Sequence, residues 1–254
     1  MFKKVGRKPA ACTRLLVSAS IMSMCSLVAS DAAAGNVLDP VEDPEVLRPK
    51  AREFDWSGFY VGGTVGYTFG QDDDIGHTNP TGTLVANPGT LTPSGTNFGL
   101  RFGWRNWLPL VDRKWVYAFE LGYDTGSISD SFVASTHSAE VELENTKSFR
   151  LKSGITSVRG NTLYYSTLGY VRGDLDYAVT GFAGGDLIDV SDQSDRDGFL
   201  LGLGVEHNLN DRLSLVFEVD YTRISSYTLT DSDGSSTVAT PSFSNVRLGL
   251  NYNF

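Results

Sequence analysis

The chain has 254 residues, 21 of them basic and 30 acidic, for a formal net charge of −9. An acidic balance of this size disfavours a phosphate backbone, so no nucleic-acid partner is expected. Its two cysteines, Cys12 and Cys25, both lie in the first 34 residues, so a chain that loses this segment has no disulfide or thiolate chemistry.

Residues 1–34 read as a secretory signal peptide. Lys3, Lys4, Arg7, Lys8 and Arg14 form a basic head, Leu15 to Ala29 an apolar run, and Ala32-Ala33-Ala34 a small-residue cleavage site. The run is shorter than the ~20 residues a spanning helix requires. Met24 before Cys25 makes a poor lipoprotein site. Cleavage after Ala34 removes five basic residues and one acidic residue, leaving 16 against 29, a net of −13. Residues 35–55 carry Pro40, Pro44 and Pro49 among Asp39, Glu42, Asp43 and Glu45 with no periodicity, and read as an extended periplasmic linker.

From Trp56 onward, period-two alternation recurs eight times. Phe59, Val61, Val65, Tyr67 and Phe69 oppose Tyr60, Gly62, Thr64 and Gly66; Phe98, Leu100, Phe102 and Trp104 oppose Asn97, Arg101 and Arg105. Trp115 to Tyr123 sets aromatic and aliphatic residues against Ala118, Glu120, Gly122 and Asp124, and Phe149, Leu151 and Ile155 stand against Arg150 and Lys152. In Asn161 to Arg172 the adjacent Tyr164 and Tyr165 leave the faces unassigned. Phe199 to Val205 and Leu213 to Tyr221 alternate again, against Glu206, Glu218 and Asp220. Finally Val246, Leu248, Leu250, Tyr252 and Phe254 alternate with Asn245, Arg247, Gly249, Asn251 and Asn253 up to the last residue.

Stretches of about ten residues suit tilted strands crossing a bilayer. Asn106–Arg113, Thr156–Gly160 and Asn208–Asp211 are short connections, whereas 70–95, 125–145, 173–195 and 225–242 are long and polar. Tight turns at one end and long loops at the other distinguish a membrane barrel from a soluble sandwich. Aromatics fall in two girdles: Phe59, Trp104, Trp107, Trp115, Tyr117, Tyr252 and Phe254 at the periplasmic rim, and Phe69, Phe98, Tyr123, Phe199, Tyr221 and Phe243 at the outer rim. The expected fold is all-β, an eight-stranded antiparallel up-and-down transmembrane β-barrel over 56–254, closed because an open edge in hydrocarbon leaves backbone groups unpaired.

Trp56-Ser57-Gly58-Phe59-Tyr60-Val61-Gly62-Gly63, Gly202 to Glu206, Leu215 to Tyr221 and the closing strand resemble a family of small alphaproteobacterial outer-membrane barrels. That family is related to the OmpA-like transmembrane domain and includes surface antigens and hemin-binding proteins. The resemblance implies the cell outer membrane of a Gram-negative bacterium. His207 stands where the family usually has Tyr, and nothing after the barrel resembles a wall-binding domain.

The inward faces hold Arg101, Arg105, Arg150, Lys152 and Arg247 against Glu120, Asp124, Glu206, Glu218 and Asp220, five charges of each sign. An eight-stranded barrel is just wide enough to be filled by side chains, so these are expected to pair as a lumen salt-bridge network, with a narrow porin-like pathway as the alternative. The outer segments are acidic and lack Lys and Arg. They read as solvated surface, with Asp72, Asp73 and Asp74 as the candidate cation-binding group, although their spacing is not that of a calcium loop. His77, His137 and Tyr227 are the candidate hemin ligands, a role that the resemblance strengthens. A lipid-modifying enzyme would need a nucleophile–base pair at the outer rim. His207 is at the other end, so no enzyme is expected. The expected function is structural: surface antigen, envelope integrity and contact with outer-membrane lipid and lipopolysaccharide. Tyr252 and Phe254 form the signal for the outer-membrane assembly machinery.

Overall fold

A computed structural model describes residues 54–254, all-β and antiparallel. The expected signal peptide and all but the last two residues of the expected linker lie outside the described residues. No helix among the described residues is long and apolar enough to cross a membrane; the crossing elements are strands.

Eight strands close into a ring. In spatial order these are β1 (Gly58–Gly70), β12 (Ser242–Asn253), β9 (Leu213–Ile224), β8 (Asp186–Asn208), β7 (Thr162–Ala183), β6 (His137–Thr156), β5 (Lys114–Val133) and β4 (Gly95–Pro109), and β4 pairs back onto β1. Closure joins the two ends of the sheet through Tyr60 opposite Asn253 on one side and Tyr60 opposite Gly103 on the other. It leaves no ladder edge facing lipid. Within the band every second residue points outward, and apart from small residues such as Ser153 and Ser166 that wall is apolar. Leu100 and Leu203 remain 67% and 69% exposed, an arrangement compatible only with an apolar solvent on that wall. The unassigned strand resolves in the same way, with Tyr164 outward and Tyr165 buried in the lumen.

The short turns gather at one end, at 110–113, 157–161 and 209–212. At the other end the structure departs from expectation. Segments 125–145 and 173–195 are not polar loops. β5 and β6 run 20 residues each, and β7 and β8 run 22 and 23, about twice the bilayer-crossing length. The β7–β8 hairpin turns on Gly184 and Gly185, with φ of 65° and 94°, the paired left-handed conformation that a two-residue hairpin turn requires. Segments 70–95 and 225–242 hold β2 (Asp73–Thr78), β3 (Leu84–Leu91), β10 (Tyr227–Thr230) and β11 (Ser236–Ala239), which form a separate sheet in the order β10-β11-β2-β3. Bulges between Thr125 and Ile128 and between Leu143 and Thr146 lie on the β5–β6 and β6–β7 ladders where the strands continue outward; bulges of this kind bend a ladder.

This outer part, the cap, has its own apolar core. Ile75 and Leu91 from the small sheet pack with Ile128, Val141, Leu143, Leu175, Tyr177, Val179, Ile188 and Val190 from the extended hairpins, and with Leu229 and Phe243. Phe243 is therefore an inward core residue, 4% exposed, and not part of the outer girdle. Trp107 is likewise not part of the outer-wall girdle. It shares the inward parity of Arg105 and packs on a second cluster at the short-turn end, containing Phe54, Trp56, Val116, Leu163 and Tyr165.

Candidate functional site

The lumen is where the sheet brings its charges together. Every one of the ten expected network residues is inward, and each has an opposite charge within contact distance. Arg101 of β4 meets Asp124 at 2.7 Å and Glu120 at 3.8 Å, both on β5. Arg150 of β6 reaches Glu120 at 3.2 Å and extends across the barrel to Glu218 and, at 3.7 Å, to Asp220 on β9. Lys152 lies 2.6 Å from Glu120 and 3.4 Å from Glu218. Arg247 of β12 pairs with Asp220 and lies 3.7 Å from Asp124. Arg101, Glu120, Arg150, Asp220, Arg247 and Asp124 thus form a closed circuit of alternating charge spanning five strands. Arg105 and Glu206 form a separate pair at 2.9 Å, with Ser214 donating a hydrogen bond to the same carboxylate. Buried charges require such partners, because an unpaired ion in this environment is strongly destabilising.

Two phenols complete the acids, and sequence periodicity did not single them out. Tyr60 donates to Glu120 at 2.7 Å and Tyr165 donates to Glu218 at 2.9 Å. Their rings lie over the glycines directly opposite on the next strand: a Cβ on Gly103 would fall 2.3 Å from the Tyr60 ring, and one on Gly204 would fall 2.2 Å from that of Tyr165. An inward Tyr opposite a Gly is the sequence signal that could have found them. Above the circuit, Asn97 donates to Thr68 at 2.9 Å and to Asn245 at 3.1 Å, linking three strands.

Below the circuit, the segment before β1 folds into the mouth. Trp56 is fully buried and its indole donates to the Gly160 carbonyl at 2.7 Å. Phe54 meets it edge-on at 4.8 Å. The Arg105 guanidinium lies 4.7 Å from the Trp56 ring and 5.1 Å from that of Tyr60, within range of cation–π attraction. Phe54 and Asp55, expected to end the linker, therefore belong to the packed mouth; Asp55 accepts from the Trp107 indole at 3.0 Å. Asp55 itself is exposed; what little desolvation it feels raises its carboxyl, but the donors Ser57 and Trp107 hold it below the usual range. Two cavities of about 10 Å³ flank the circuit, one beside Arg105 and Glu206 and one beside Asp124 and Arg247. Each is near the lower limit for a single water.

The outer candidates are placed differently from expectation. His77 and His137 are not exposed loop residues but are 0% and 3% exposed. His77 Nδ1 lies 3.1 Å from His137 Nε2, and His137 Nδ1 lies 2.9 Å from the Thr136 hydroxyl. Their nitrogens are engaged with each other and with Thr136, apart from His77 Nε2, which is enclosed without a partner. Tyr227 has other neighbours: the Arg196 guanidinium 3.8 Å from its ring and Tyr177 at 6.3 Å. Burial pushes its phenol up to about 12, although Arg196 pulls the other way. Asp72, Asp73 and Asp74 do not converge. Asp73 is buried and accepts from the Thr240 backbone and hydroxyl, Asp74 faces outward and accepts from Thr90, and Asp72 is exposed. No group of three or more potential metal-binding side chains occurs among the described residues. Other outer acids serve as ties: Asp130 accepts from Thr92 N at 2.7 Å and Asp231 from Asp189 N at 3.0 Å. His207 is exposed at the short-turn end, 2.9 Å from Thr162. Tyr252 and Phe254 are outward on the closing strand, edge-on at 5.2 Å.

A closed antiparallel ring with a greasy outer wall and a charged interior filled by side chains defines a small β-barrel of the outer-membrane type, located in the outer membrane of a Gram-negative cell. The family model for the outer membrane protein beta-barrel domain matches residues 47–254, and the chain belongs to that family. It is 28% identical over 250 residues to the 31 kDa outer-membrane immunogenic protein of Brucella melitensis biotype 1 and to that of Brucella suis biovar 1, covering 93% of this chain and 99% of each relative. Among solved structures it resembles the outer membrane protein OprG from Pseudomonas aeruginosa. The TM-score is 0.51 at 14% identity, over 79% of this chain and 98% of that one, a likeness of fold.

Proposed function

We propose that this outer-membrane surface protein is a non-conducting structural barrel, with a plugged lumen and a folded cap exposed as a surface antigen. Its role is physical, not catalytic: it spans and braces the envelope, contacts lipopolysaccharide in the outer leaflet, and presents the cap outside. The observation that carries this reading is the charge circuit, in which Arg150 on β6 bridges the lumen to Glu218 and Asp220 on β9. A residue that joins opposite walls inside an eight-stranded barrel leaves no room for a water-filled path. The name of the Brucella relatives supports the antigen reading, and the outward Tyr252 and Phe254 at the end of β12 support recognition by the assembly machinery. Hemin ligation by His77, His137 and Tyr227 and cation capture by Asp72, Asp73 and Asp74 are not part of the proposal, because neither set aims its groups at a shared ligand.

Planar-bilayer recording of the refolded barrel tests the reading. The expected trace is flat at both polarities. Reproducible unitary conductance would replace the plugged structural barrel by the narrow porin-like alternative.

A further inference from the structure

At the upper edge of the apolar band, the outward wall changes chemistry in one step. On β6, Phe149, Leu151 and Ile155 face lipid and the next outward residue above them is Lys147; on β7, Leu168 and Tyr170 are followed by Arg172; on β9, Val219 and Tyr221 are followed by Arg223. All three cations are exposed. The outer segments above them (70–95, 127–145, 175–195 and 225–242) contain no Lys or Arg, so these outward cations lie at the lipid boundary. Lys147 and Arg172 are directly opposite each other across the β6–β7 ladder. Like charges in that position repel and destabilise the pair, unless an anion lies between them. Arg172 uses Nε on Asp195 at 2.9 Å, an exposed pair of small energetic weight, and its terminal nitrogens carry no contact there. Lys147 and Arg223 make no ion pair among the described residues. On β8, between Arg172 and Arg223, Asp197 accepts from the Tyr170 phenol.

Arg223 also lines a groove of about 570 Å³ along the β9–β12–β1 seam, with Tyr221, Gln71, Ser242 and the carboxylate of Asp72. Its lining is polar, and its Tyr221 and Arg223 share the outward parity of Val219 on β9, at the level where headgroups replace acyl chains.

We infer that Lys147 and Arg172, with Arg223 in its groove, form a binding belt for the phosphate groups of the phosphorylated glycolipid of the outer leaflet. The phosphate oxygens accept from the Lys147 ammonium and from the free guanidinium nitrogens of Arg172, charge-assisted contacts of the stronger class. Acyl chains then lie against Phe149, Tyr170 and Phe199. The inference deepens the lipopolysaccharide contact of the proposed function and rests on it. It is independent of whether the lumen conducts.

The test measures binding of the refolded full barrel in detergent micelles to three probes: bisphosphorylated lipid A, the same lipid A after dephosphorylation, and phosphatidylglycerol. The expected order is tight binding to the first and at least about tenfold weaker binding to the other two. The variant Lys147→Gln/Arg172→Gln/Arg223→Gln is expected to bind bisphosphorylated lipid A as weakly as wild type binds the dephosphorylated form. Lys147→Arg is expected to bind like wild type. Heat-modifiable gel mobility identifies folded samples, and Lys147→Gln alone serves if the triple variant does not fold. Retained affinity in the folded variant overturns the belt. Equal affinity for phosphatidylglycerol reduces it to a generic anionic-lipid surface and overturns the glycolipid assignment. Either outcome with a flat conductance trace leaves the structural barrel standing, so the two failures are distinguishable.

Discussion

At the residue scale, Arg150 is the most consequential side chain in the lumen. It is 1% exposed and satisfies carboxylates on two opposite walls, Glu120 on β5 and Glu218 and Asp220 on β9. Replacing it with alanine leaves three buried acids short of their common partner. Loss of one partner from such a buried set destabilises by about 3–5 kcal/mol. Arg150→Ala is therefore expected to lower the urea midpoint of the barrel in lipid vesicles by an amount equivalent to that loss, read by the gel shift between folded and unfolded forms. Arg172→Ala, which removes an exposed pair with Asp195, is expected to change it by less than about 1 kcal/mol. Equal effects would mean that the lumen is wet enough to solvate the acids. The charges were legible in the sequence because parity alone puts them inside. The inward parity of Tyr60 was legible too, but its tie to Glu120 was not, and the face of Tyr165 was hidden by the adjacent Tyr164; the Gly103 and Gly204 gaps across the ladder make room for the two rings.

At the element scale, the long strands show why segments 125–145 and 173–195 read as loops in the sequence. On β7, Leu168 and Tyr170 face out and Thr167 and Gly169 face in, yet from Val171 onward the same parity is reversed in hydropathy. Val171, Leu175, Tyr177 and Val179 are inward and buried, while Arg172, Asp174 and Asp176 are outward. The strand does not change faces; its solvent changes from lipid to water, so the apolar side moves from the wall to the core. A polar composition thus hid an intact period of two. The cap built this way includes the His77–His137 contact, which joins β2 of the small sheet to β6 of a hairpin. Burial first, and His77 second, hold the His137 imidazole below its ordinary 6.5. The unfolded cap binds that proton more readily, so this contribution to stability is complete above pH 6.5 and is lost progressively as pH falls below it. Asp73 acts in the opposite sense. Burial raises its carboxyl above 3.8 despite the Thr240 donors, so its contribution falls as pH rises from 3.8. Proteinase K cleavage of the hairpin tips, normalised to an unfolded substrate, is expected to accelerate from about pH 7.5 to about pH 5.5. In His77→Gln/His137→Gln that acceleration is expected to vanish, and an unchanged profile would show that the pair does not govern the cap.

At the scale of the whole molecule, the lumen is occupied along its length by three kinds of matter: an aromatic cluster at the mouth, an ionic circuit in the middle and an aliphatic core under the cap. The barrel and the asymmetry of its two ends could be read from strand period and connection length. The cap could not, because the β10-β11-β2-β3 sheet joins segments about 150 residues apart, with Thr78 opposite Ser236, and no local pattern encodes that pairing. The mouth was only half legible. Trp56 was visible as the start of the barrel, but its place inside depends on a hydrogen bond to Gly160 on a distant turn. The four tryptophans make this arrangement measurable, since all lie toward the short-turn end but on two sides of one wall. Trp104 and Trp115 face outward, whereas Trp56 and Trp107 face the packed mouth. Interfacial tryptophans contact the upper acyl chain, so in vesicles of lipid brominated near the headgroup, single-tryptophan variants retaining Trp104 or Trp115 are expected to be quenched. Those retaining Trp56 or Trp107 are expected to stay bright, shielded by one thickness of sheet. Quenching of Trp56 to the level of Trp115 would place the N-terminal aromatics on the lipid side and reopen the mouth, leaving the ionic circuit as the barrier across the lumen below the cap.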